Sequence, residues 1–201
     1  METIKISEIF NSIQGEGKYA GTPMLFIRTS GCNRDCSWCD TKYHTRGKEM
    51  TLESIIKTIG ESNLDYICWT GGEPLLQIDN ILKVMELTID KKHHLETNGD
   101  FLQKNLVKGF DYIGISPKDK NTASKIKGLG LDNDFDIKIV TDLDKVNIDI
   151  LEYATMLMPL STYNKKNDLA IQREVWNYCV GKKIKMTPRY QTWIWGKRRK
   201  V

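Results

Sequence analysis

Strand-like and helix-like hydrophobic patterns alternate along this chain of 201 residues. Six short runs, rich in apolar and β-branched residues, are typical of buried strands. They are Met24–Thr29, Tyr66–Trp69, His94–Thr97, Tyr112–Ser116, Phe135–Thr141 and Thr155–Leu160. Because strands that alternate with helices form parallel sheets with helical crossovers, the pattern predicts an α/β fold.

Helices are predicted where apolar residues recur on one face. Thr51 can cap a helix whose apolar stripe is Leu52, Ile55, Ile56 and Ile59. Two regions, Asp79–Asp90 with Ile89 on its apolar face and Leu169–Val180, are further helices by the same criterion. The shorter candidates are Phe101–Val107 and Val146–Ala154.

The crossover between the fourth and fifth predicted strands is expected to be a loop without a helix. The segment Asn121–Asp134 contains Gly128 and Gly130 and shows no convincing helical stripe, so we expect a loop there. Six parallel strands with few helices in so short a chain predict an incomplete, TIM-like barrel. A chain of this length forms one domain that buries about 70% of its unfolded surface. We therefore expect a single domain over residues 1–201.

Composition and charge bear on the binding partners and the cellular compartment of the protein. The formal net charge is only +4, and the basic run Lys197–Lys200 is interpreted as a solvated tail, because nucleic-acid binding needs a wider basic face with interleaved aromatics. No apolar run approaches the ~20 residues of a membrane span, and there is no charged-then-apolar leader. Five cysteines, three of them clustered, suit a reducing compartment better than a disulfide framework. We expect a cytoplasmic protein.

The clustered cysteines offer three thiolates and no local fourth ligand. Cys32, Cys36 and Cys39 have the spacing C-x3-C-x2-C. An iron–sulfur cube with three protein thiolates keeps one iron open to a small molecule, whereas an electron-carrying cluster normally has four. The alternatives are a structural zinc site completed by His44 and a group of ordinary buried thiols. Cys68 and Cys179 are interpreted as core residues.

Each motif with chemical interest directly follows a predicted strand. The cysteines follow the first strand, and Thr70–Pro74, with two glycines and a carboxylate, follows the second. Asn98-Gly99 and Pro117-Lys118 follow the third and fourth strands. Since the carboxyl ends of the strands of a barrel meet at one rim, where such folds bind ligands, we expect these motifs to converge.

The cysteine spacing together with Thr70-Gly71-Gly72-Glu73-Pro74 resembles the radical S-adenosylmethionine enzymes. In that superfamily the open iron of a 4Fe-4S cluster chelates the amino and carboxylate groups of the methionine part. The resemblance implies that Gly72 and Glu73 receive the amino group, that Ser116 and Lys118 contact the ribose and carboxylate, and that Met158 to Ser161 flank the adenine. The implied cofactor residues are Trp38, Asp40, Gly72, Glu73, Ser116, Lys118, Met158 and Ser161.

A narrower resemblance starts at the N-terminus. Residues Glu8–Gly17, with Gly21, Pro23 and Arg28, are similar to the opening of the 7-carboxy-7-deazaguanine synthases. Further matches are Cys39-Asp40-Thr41, Glu96-Thr97-Asn98-Gly99 and Ser116-Pro117-Lys118. These enzymes convert 6-carboxy-5,6,7,8-tetrahydropterin to 7-carboxy-7-deazaguanine with loss of ammonia, through a 5′-deoxyadenosyl radical, on the route to 7-deazapurine-modified nucleic acid.

This second resemblance implies a substrate site, a magnesium ion and partners. The implied substrate residues are Ile13, Gln14, Gly15, Glu16, Arg28 and Thr70. Arg28 suits a carboxylate because a guanidinium can form two parallel hydrogen bonds, and Thr41 would give Mg2+ one oxygen ligand. The implied partners are a reductant protein such as flavodoxin or ferredoxin and a second copy in a homodimer, with no direct nucleic-acid contact.

Other interpretations of the same residues stay open at this point. Arg28 could be a surface cation and residues 13–16 a solvent-facing turn. A radical activase, which makes a glycyl radical on a partner enzyme, would share the cysteines and Thr70–Pro74 but would not need the N-terminal motif. A zinc-binding module without enzyme activity would leave Thr70–Pro74 unexplained. The aromatic tail 188–196 and the His93-His94 pair are assigned no role, since successive strand side chains point to opposite faces.

Overall fold

The computed structural model describes residues 2–200, except for the side chains of Tyr43 and His44, and contains one sheet of nine strands. The strands are β1 (Thr3–Ile13), β2 (Pro23–Thr29), β3 (Lys48–Thr51), β4 (Tyr66–Gly71), β5 (Lys92–Thr97), β6 (Tyr112–Ile115), β7 (Asp134–Thr141), β8 (Met156–Pro159) and β9 (Lys185–Met186). Their spatial order is β3-β1-β2-β4-β5-β6-β7-β8-β9.

The predicted parallel sheet forms the centre of this arrangement. Strand β2 and strands β4 to β8 are parallel neighbours, and they are the six strands that the hydrophobic pattern indicates. Strand β9 extends the sheet in parallel, whereas β1 pairs antiparallel with β2 and β3 pairs antiparallel with β1. The sheet has two edges and does not close, which confirms the α/β fold and the incomplete barrel.

Helices cover the sheet more fully than the pattern suggests. The α-helices are α1 (Leu52–Glu61), α2 (Ile78–Glu86), α3 (Lys104–Val107), α4 (Lys120–Gly128), α5 (Lys165–Lys182) and α6 (Tyr190–Trp195). Short 3-10 helices lie at Lys42–Thr45, Pro74–Gln77 and Ile148–Tyr153. Across residues 2–200, no helix has the length and apolar character that crossing a membrane would require.

Helix α1 forms as its sequence predicts. The Thr51 hydroxyl accepts a hydrogen bond from the Ser54 backbone N–H at 3.2 Å and so caps the first turn. Leu52, Ile55 and Ile59 are buried against the sheet. Helix α5 likewise contains the predicted Leu169–Val180 segment, and its Cys179 is buried as expected of a core cysteine.

Three helical predictions are too long. Helix α2 ends at Glu86, so Ile89 lies beyond it and is 85% exposed rather than on a buried face. The Thr88 hydroxyl donates to the Val84 carbonyl at 2.8 Å and so satisfies one of the free backbone acceptors in the last turn of α2. The segment Phe101–Val107 contributes only the single turn α3, and Val146–Ala154 contributes a 3-10 helix.

The loop predicted at Asn121–Asp134 is wrong, because α4 runs through its first half. Asp119 caps the helix by accepting a hydrogen bond from the Thr122 N–H at 2.8 Å. The buried face consists of Thr122, Ala123 and Ile126. Two of these three side chains are small, so the face carries almost no hydrophobic signal in the sequence.

Strand β1 was not predicted, although polar and apolar residues alternate in its first half. Ile4 and Ile6 are buried, and Lys5 between them is exposed. The strand and β2 form a hairpin whose turn includes Gly17 and Gly21, both with positive φ. This hairpin brings the N-terminal motif alongside the end of β2.

His93 and His94 point to opposite faces of β5, as predicted. His93 accepts a hydrogen bond from Trp69 Nε1 at 3.1 Å on the helix-covered side. His94 is 2% exposed and packs against the rings of Tyr19, Tyr66 and Tyr112, with neither ring nitrogen hydrogen-bonded. Burial without a partner lowers the pKa of His94 from 6.5 to about 4, because the charged imidazolium would lose its hydration.

This buried histidine should make the protein less stable in acid. Between pH 6.5 and 4 the unfolded chain binds a proton at His94 that the folded chain does not, so acid favours unfolding. We expect the free energy of unfolding to fall by up to about 3 kcal/mol more in the wild type than in His94→Phe over that range. Urea unfolding of both proteins at several pH values measures this difference, and parallel pH profiles would contradict it.

Candidate active site

A cavity of about 330 Å³ lies at the carboxyl ends of the parallel strands. The predicted metal ligands Cys32, Cys36, Cys39 and Thr41 line it. So do the predicted substrate residues Ile13, Gln14, Gly15, Glu16, Arg28 and Thr70. The predicted cofactor residues on its wall are Trp38, Asp40, Gly72, Ser116, Lys118 and Met158. The predicted convergence of the motifs at one rim is therefore confirmed.

Two predicted cofactor residues, Glu73 and Ser161, are not among the side chains that line this cavity. Glu73 is fully buried and accepts hydrogen bonds from the Thr97 hydroxyl at 2.7 Å and the Asn98 N–H at 2.7 Å. Burial raises the pKa of this carboxyl group. The Ser161 hydroxyl donates to Asp168 at 3.0 Å. Glu73 thus ties the end of β4 to the end of β5, behind the cavity wall.

The glycines of Thr70–Pro74 permit a close backbone contact with the cysteine loop. A Cβ atom on Gly72 would lie 2.0 Å from the Gly31 carbonyl oxygen and 2.9 Å from Cys32 Cβ. The same Gly31 carbonyl accepts a hydrogen bond from the Glu73 N–H at 2.9 Å. Only a residue without a side chain fits between the two segments, so Gly72 fixes the position of Cys32.

The cysteine loop is held from its other side by a polar network. Arg34 donates from Nε and Nη2 to the two carboxylate oxygens of Asp100, at 2.5 and 2.6 Å, and also contacts Asp119. Asn33 donates to Asp100 at 2.5 Å and accepts from Asn98 at 2.9 Å. Although burial opposes it, hydrogen bonds from Arg34 lower the pKa of Asp100, which stays ionised.

The three cysteines of the loop are partly buried, and this burial affects the acidity of two of their thiols. Burial raises the pKa of Cys32 and of Cys39 above the usual range. Backbone N–H groups of Arg34 and Thr41 point at these two sulfur atoms at 3.4 Å. Such donors favour a thiolate once a metal ion replaces the proton.

A buried lysine at the cavity is the main feature that the sequence interpretation missed. Lys138 of β7 lies between Glu16 and Glu96, with Nζ to carboxylate distances of 2.7 and 2.9 Å. Gln14 donates to the other oxygen of Glu96 at 3.3 Å. The available signal was a lysine between two isoleucines in a predicted strand, since a buried charge needs partners.

The C-terminal segment also borders the cavity. Residues 197–200 are exposed, as expected of a solvated tail, yet they line the rim. Arg199 donates to Glu8 at 3.0 Å, and Arg28 donates to the other oxygen of the same buried carboxylate at 3.0 Å. Earlier in the same segment, Arg189 and Gln191 also line the cavity and donate to Glu16 at 3.3 and 2.6 Å. The tail to which the sequence assigned no role is thus part of the site.

Known proteins resemble this chain in both sequence and fold. A model described as the radical SAM superfamily matches residues 26–162. A 7-carboxy-7-deazaguanine synthase from Thermoplasma acidophilum is 45% identical over 131 residues, which cover 64% of this chain and 62% of that protein. One from Bacteroides thetaiotaomicron is 43% identical over 57% of this chain and 60% of its own length. The chain thus spans less than two thirds of either relative.

Two other matches extend over nearly the whole chain. A 7-carboxy-7-deazaguanine synthase from Pyrobaculum aerophilum is 28% identical over 98% of this chain and 96% of its own. The crystal structure of QueE from Escherichia coli has a TM-score of 0.59 and covers 92% of this chain and 93% of that one. With 18% identity, this second likeness concerns the fold.

Proposed function

The chain belongs to the radical SAM superfamily, and we propose that within it the protein is a 7-carboxy-7-deazaguanine synthase. The proposed reaction converts 6-carboxy-5,6,7,8-tetrahydropterin to 7-carboxy-7-deazaguanine with loss of ammonia. The relatives from Thermoplasma acidophilum and Pyrobaculum aerophilum carry this enzyme name.

The two-sided charge of the cavity is the observation that carries the proposal. One part of its wall presents carboxylates, Glu16 and Glu96, which accept hydrogen bonds. Another part presents two cations, Arg28 and Arg199, around the one carboxylate of Glu8, together with the basic tail beside them. A 6-carboxylated pterin has a row of N–H donors at its pyrimidinone end and an anion at the opposite end, so its two ends match the two parts of the wall.

The cysteine loop fits a 4Fe-4S cluster by the chemistry of its donors. Three thiols on one short loop line one cavity and leave a fourth position open for S-adenosylmethionine. No three His, Cys, Asp or Glu side chains among those described are already close enough to hold a metal ion together, so the cysteines would draw together around the cluster. His44, the alternative zinc ligand, lies outside the described side chains. When bound, the cluster and S-adenosylmethionine supply the one-electron chemistry that generates an organic radical.

The other cofactor residues would orient and shield that chemistry. Lys118 donates to the Ser116 hydroxyl at 2.9 Å, and both would hold the ribose and carboxylate of S-adenosylmethionine. Burial lowers the pKa of Lys118, so its ammonium group gains from an anionic partner. Trp38 would exclude water, and Met158 would pack beside the adenine. Glu73 would act from behind the wall by fixing the backbone around Gly72.

A magnesium ion at Thr41 belongs to the same proposal. The Thr41 hydroxyl donates to Asp40 at 2.9 Å on the cavity wall, so one oxygen ligand is present beside a carboxylate. Magnesium usually keeps several waters and takes one or two protein oxygens. We expect Thr41→Ala to lower turnover and to abolish stimulation by magnesium, while the iron content stays unchanged. Steady-state assays over a range of Mg2+ concentrations measure this, and unchanged stimulation would remove the assignment.

The electron donor, the oligomeric state, the cellular location and the domain organisation are also part of the proposal. The protein would receive electrons from a flavodoxin or ferredoxin, work as a homodimer in the cytoplasm and form a single domain. The free cysteines suit a reducing compartment, where an oxygen-sensitive cluster persists.

One anaerobic experiment tests the function. The reconstituted protein is incubated with reductant, S-adenosylmethionine and 6-carboxytetrahydropterin, and the products are identified by mass. We expect 5′-deoxyadenosine and 7-carboxy-7-deazaguanine, and no turnover of a tetrahydropterin without the 6-carboxyl group. Formation of 5′-deoxyadenosine without the deazaguanine would contradict the substrate assignment, and a colourless zinc protein would contradict the radical chemistry.

A further inference from the structure

Lys138 is a deeply buried cation at the cavity, and its two partners come from distant parts of the chain. Its side chain is 4% exposed. Glu16 follows β1 and Glu96 lies on β5, so β7 completes a contact among three separate elements. A buried ammonium group is costly unless it is paired and hydrogen-bonded, and here two carboxylates pair with it.

The two carboxylates differ in how many protein donors they already serve. Glu16 accepts from Lys138 on one oxygen and from Arg189 and Gln191 on the other. Glu96 accepts from Lys138 on one oxygen and from Gln14, at 3.3 Å, on the other. Both side chains keep part of their surface toward the cavity, 16% for Glu16 and 19% for Glu96. Glu96 therefore retains more acceptor capacity for a ligand.

Burial and the neighbouring charges move the pKa values of Glu16 and Glu96 in opposite directions. Burial works to raise the pKa of Glu16, but the attraction of Lys138 and Arg189 outweighs it and lowers the pKa to about 2. Burial raises the pKa of Glu96, and the negative charge of Glu16 raises it further, whereas the positive charge of Lys138 lowers it. The other ionisable groups that face Glu96 are Lys118, Cys68 and Tyr112. Lys138 is thus the main cation that keeps Glu96 ionised.

We propose that Lys138 is a positioning residue that holds Glu96 ionised and oriented, so that the cavity accepts the N–H donor edge of a flat heterocycle. This inference rests on the proposed function and deepens it. A protonated Glu96 would turn one of its oxygens into a donor and would repel the donor edge of a pterin. Without the lysine, two adjacent carboxylates would share one proton, as like charges at short distance do.

The test compares Lys138→Met with Lys138→Arg in the reconstituted protein. Pterin-6-carboxylate serves as a fluorescent probe that carries the same donor edge and carboxylate as the substrate. In Lys138→Met we expect its affinity at pH 7 to fall by about 10- to 100-fold. The affinity should recover as the pH rises, with the apparent pKa of binding shifted upward by about 1–3 units. Lys138→Arg should keep the pH profile of the wild type. Lys185→Met, whose side chain is 64% exposed, is the matched control and should behave like the wild type.

A second readout does not depend on the ligand. Infrared difference spectra should show a protonated carboxyl band at pH 7 in Lys138→Met, absent in the wild type and lost again in Lys138→Met combined with Glu96→Gln. A lower melting temperature with an unchanged pH profile and no such band would mean a merely structural lysine and would overturn the inference. If the band appears but wild-type protein neither binds the probe nor forms the deazaguanine, the proposed function fails while the role of Lys138 stands.

Discussion

Gly72→Ala should lower turnover by about 100-fold, the effect expected when reacting groups are displaced by about 1 Å. The added Cβ would meet the Gly31 carbonyl oxygen at 2.0 Å, and neither backbone segment can give way at low cost. Moving Gly31 also disturbs its hydrogen bond with the Glu73 N–H and shifts Cys32, the next residue. We therefore expect a lower iron content after anaerobic reconstitution and less 5′-deoxyadenosine.

Gly60→Ala provides the matched control for this substitution. Gly60 lies in the last turn of α1, and a Cβ there would meet nothing within 4 Å. Alanine is more favourable than glycine in a helix, by about 1 kcal/mol in the interior and less near an end, so this variant should be at least as stable as the wild type. Gly72→Ala with wild-type iron content and turnover would show that the close contact does not position the cysteine loop.

The parallel sheet could be predicted because its strands are buried on both faces and therefore stand out as apolar runs. Strand β1 lies near the edge of the sheet, and polar residues alternate with apolar ones only over Thr3–Ser7, because the next buried position is the charged Glu8. Helix α4 could not be found from its stripe, because Thr122 and Ala123 bury little apolar surface. Its capping Asp119 was the one local signal of a helix start.

The site was predictable where its residues lie next to each other in sequence. The cysteines, Thr70–Gly72 and Ser116–Lys118 each form a local motif at a strand end. Lys138 pairs with Glu16 and Glu96, 122 and 42 residues away, and Arg199 pairs with Glu8, 191 residues away. No spacing rule reports such pairs. Glu73 was assigned to the ligand because of its motif, and only the fold reveals that its buried carboxylate also accepts hydrogen bonds from Thr97 and Asn98.

Asp100→Asn should weaken the hold on the cysteine loop and lower the iron content of the reconstituted protein. The substitution preserves the size of the side chain but removes the charge that pairs with both Arg34 nitrogens. It also replaces one acceptor oxygen by a donor, which faces Arg34, Asn33 or Thr122. Hydrogen bonds to charged groups contribute about 1.5–3 kcal/mol each, so the loop between Cys32 and Cys36 should become mobile. We expect turnover to fall at least about 10-fold, and the cluster to be lost faster to an iron chelator.

A double-mutant cycle with Arg34→Gln tests whether the loop contact itself is responsible. If both residues act through one contact, the double variant should lose iron no faster than the more affected single variant. Asp132→Asn is the surface control, because its pair with Lys104 is 80% exposed on the aspartate side and contributes at most about 1 kcal/mol. Additive losses in the double variant would mean that Asp100 acts through Thr122 and α4 instead.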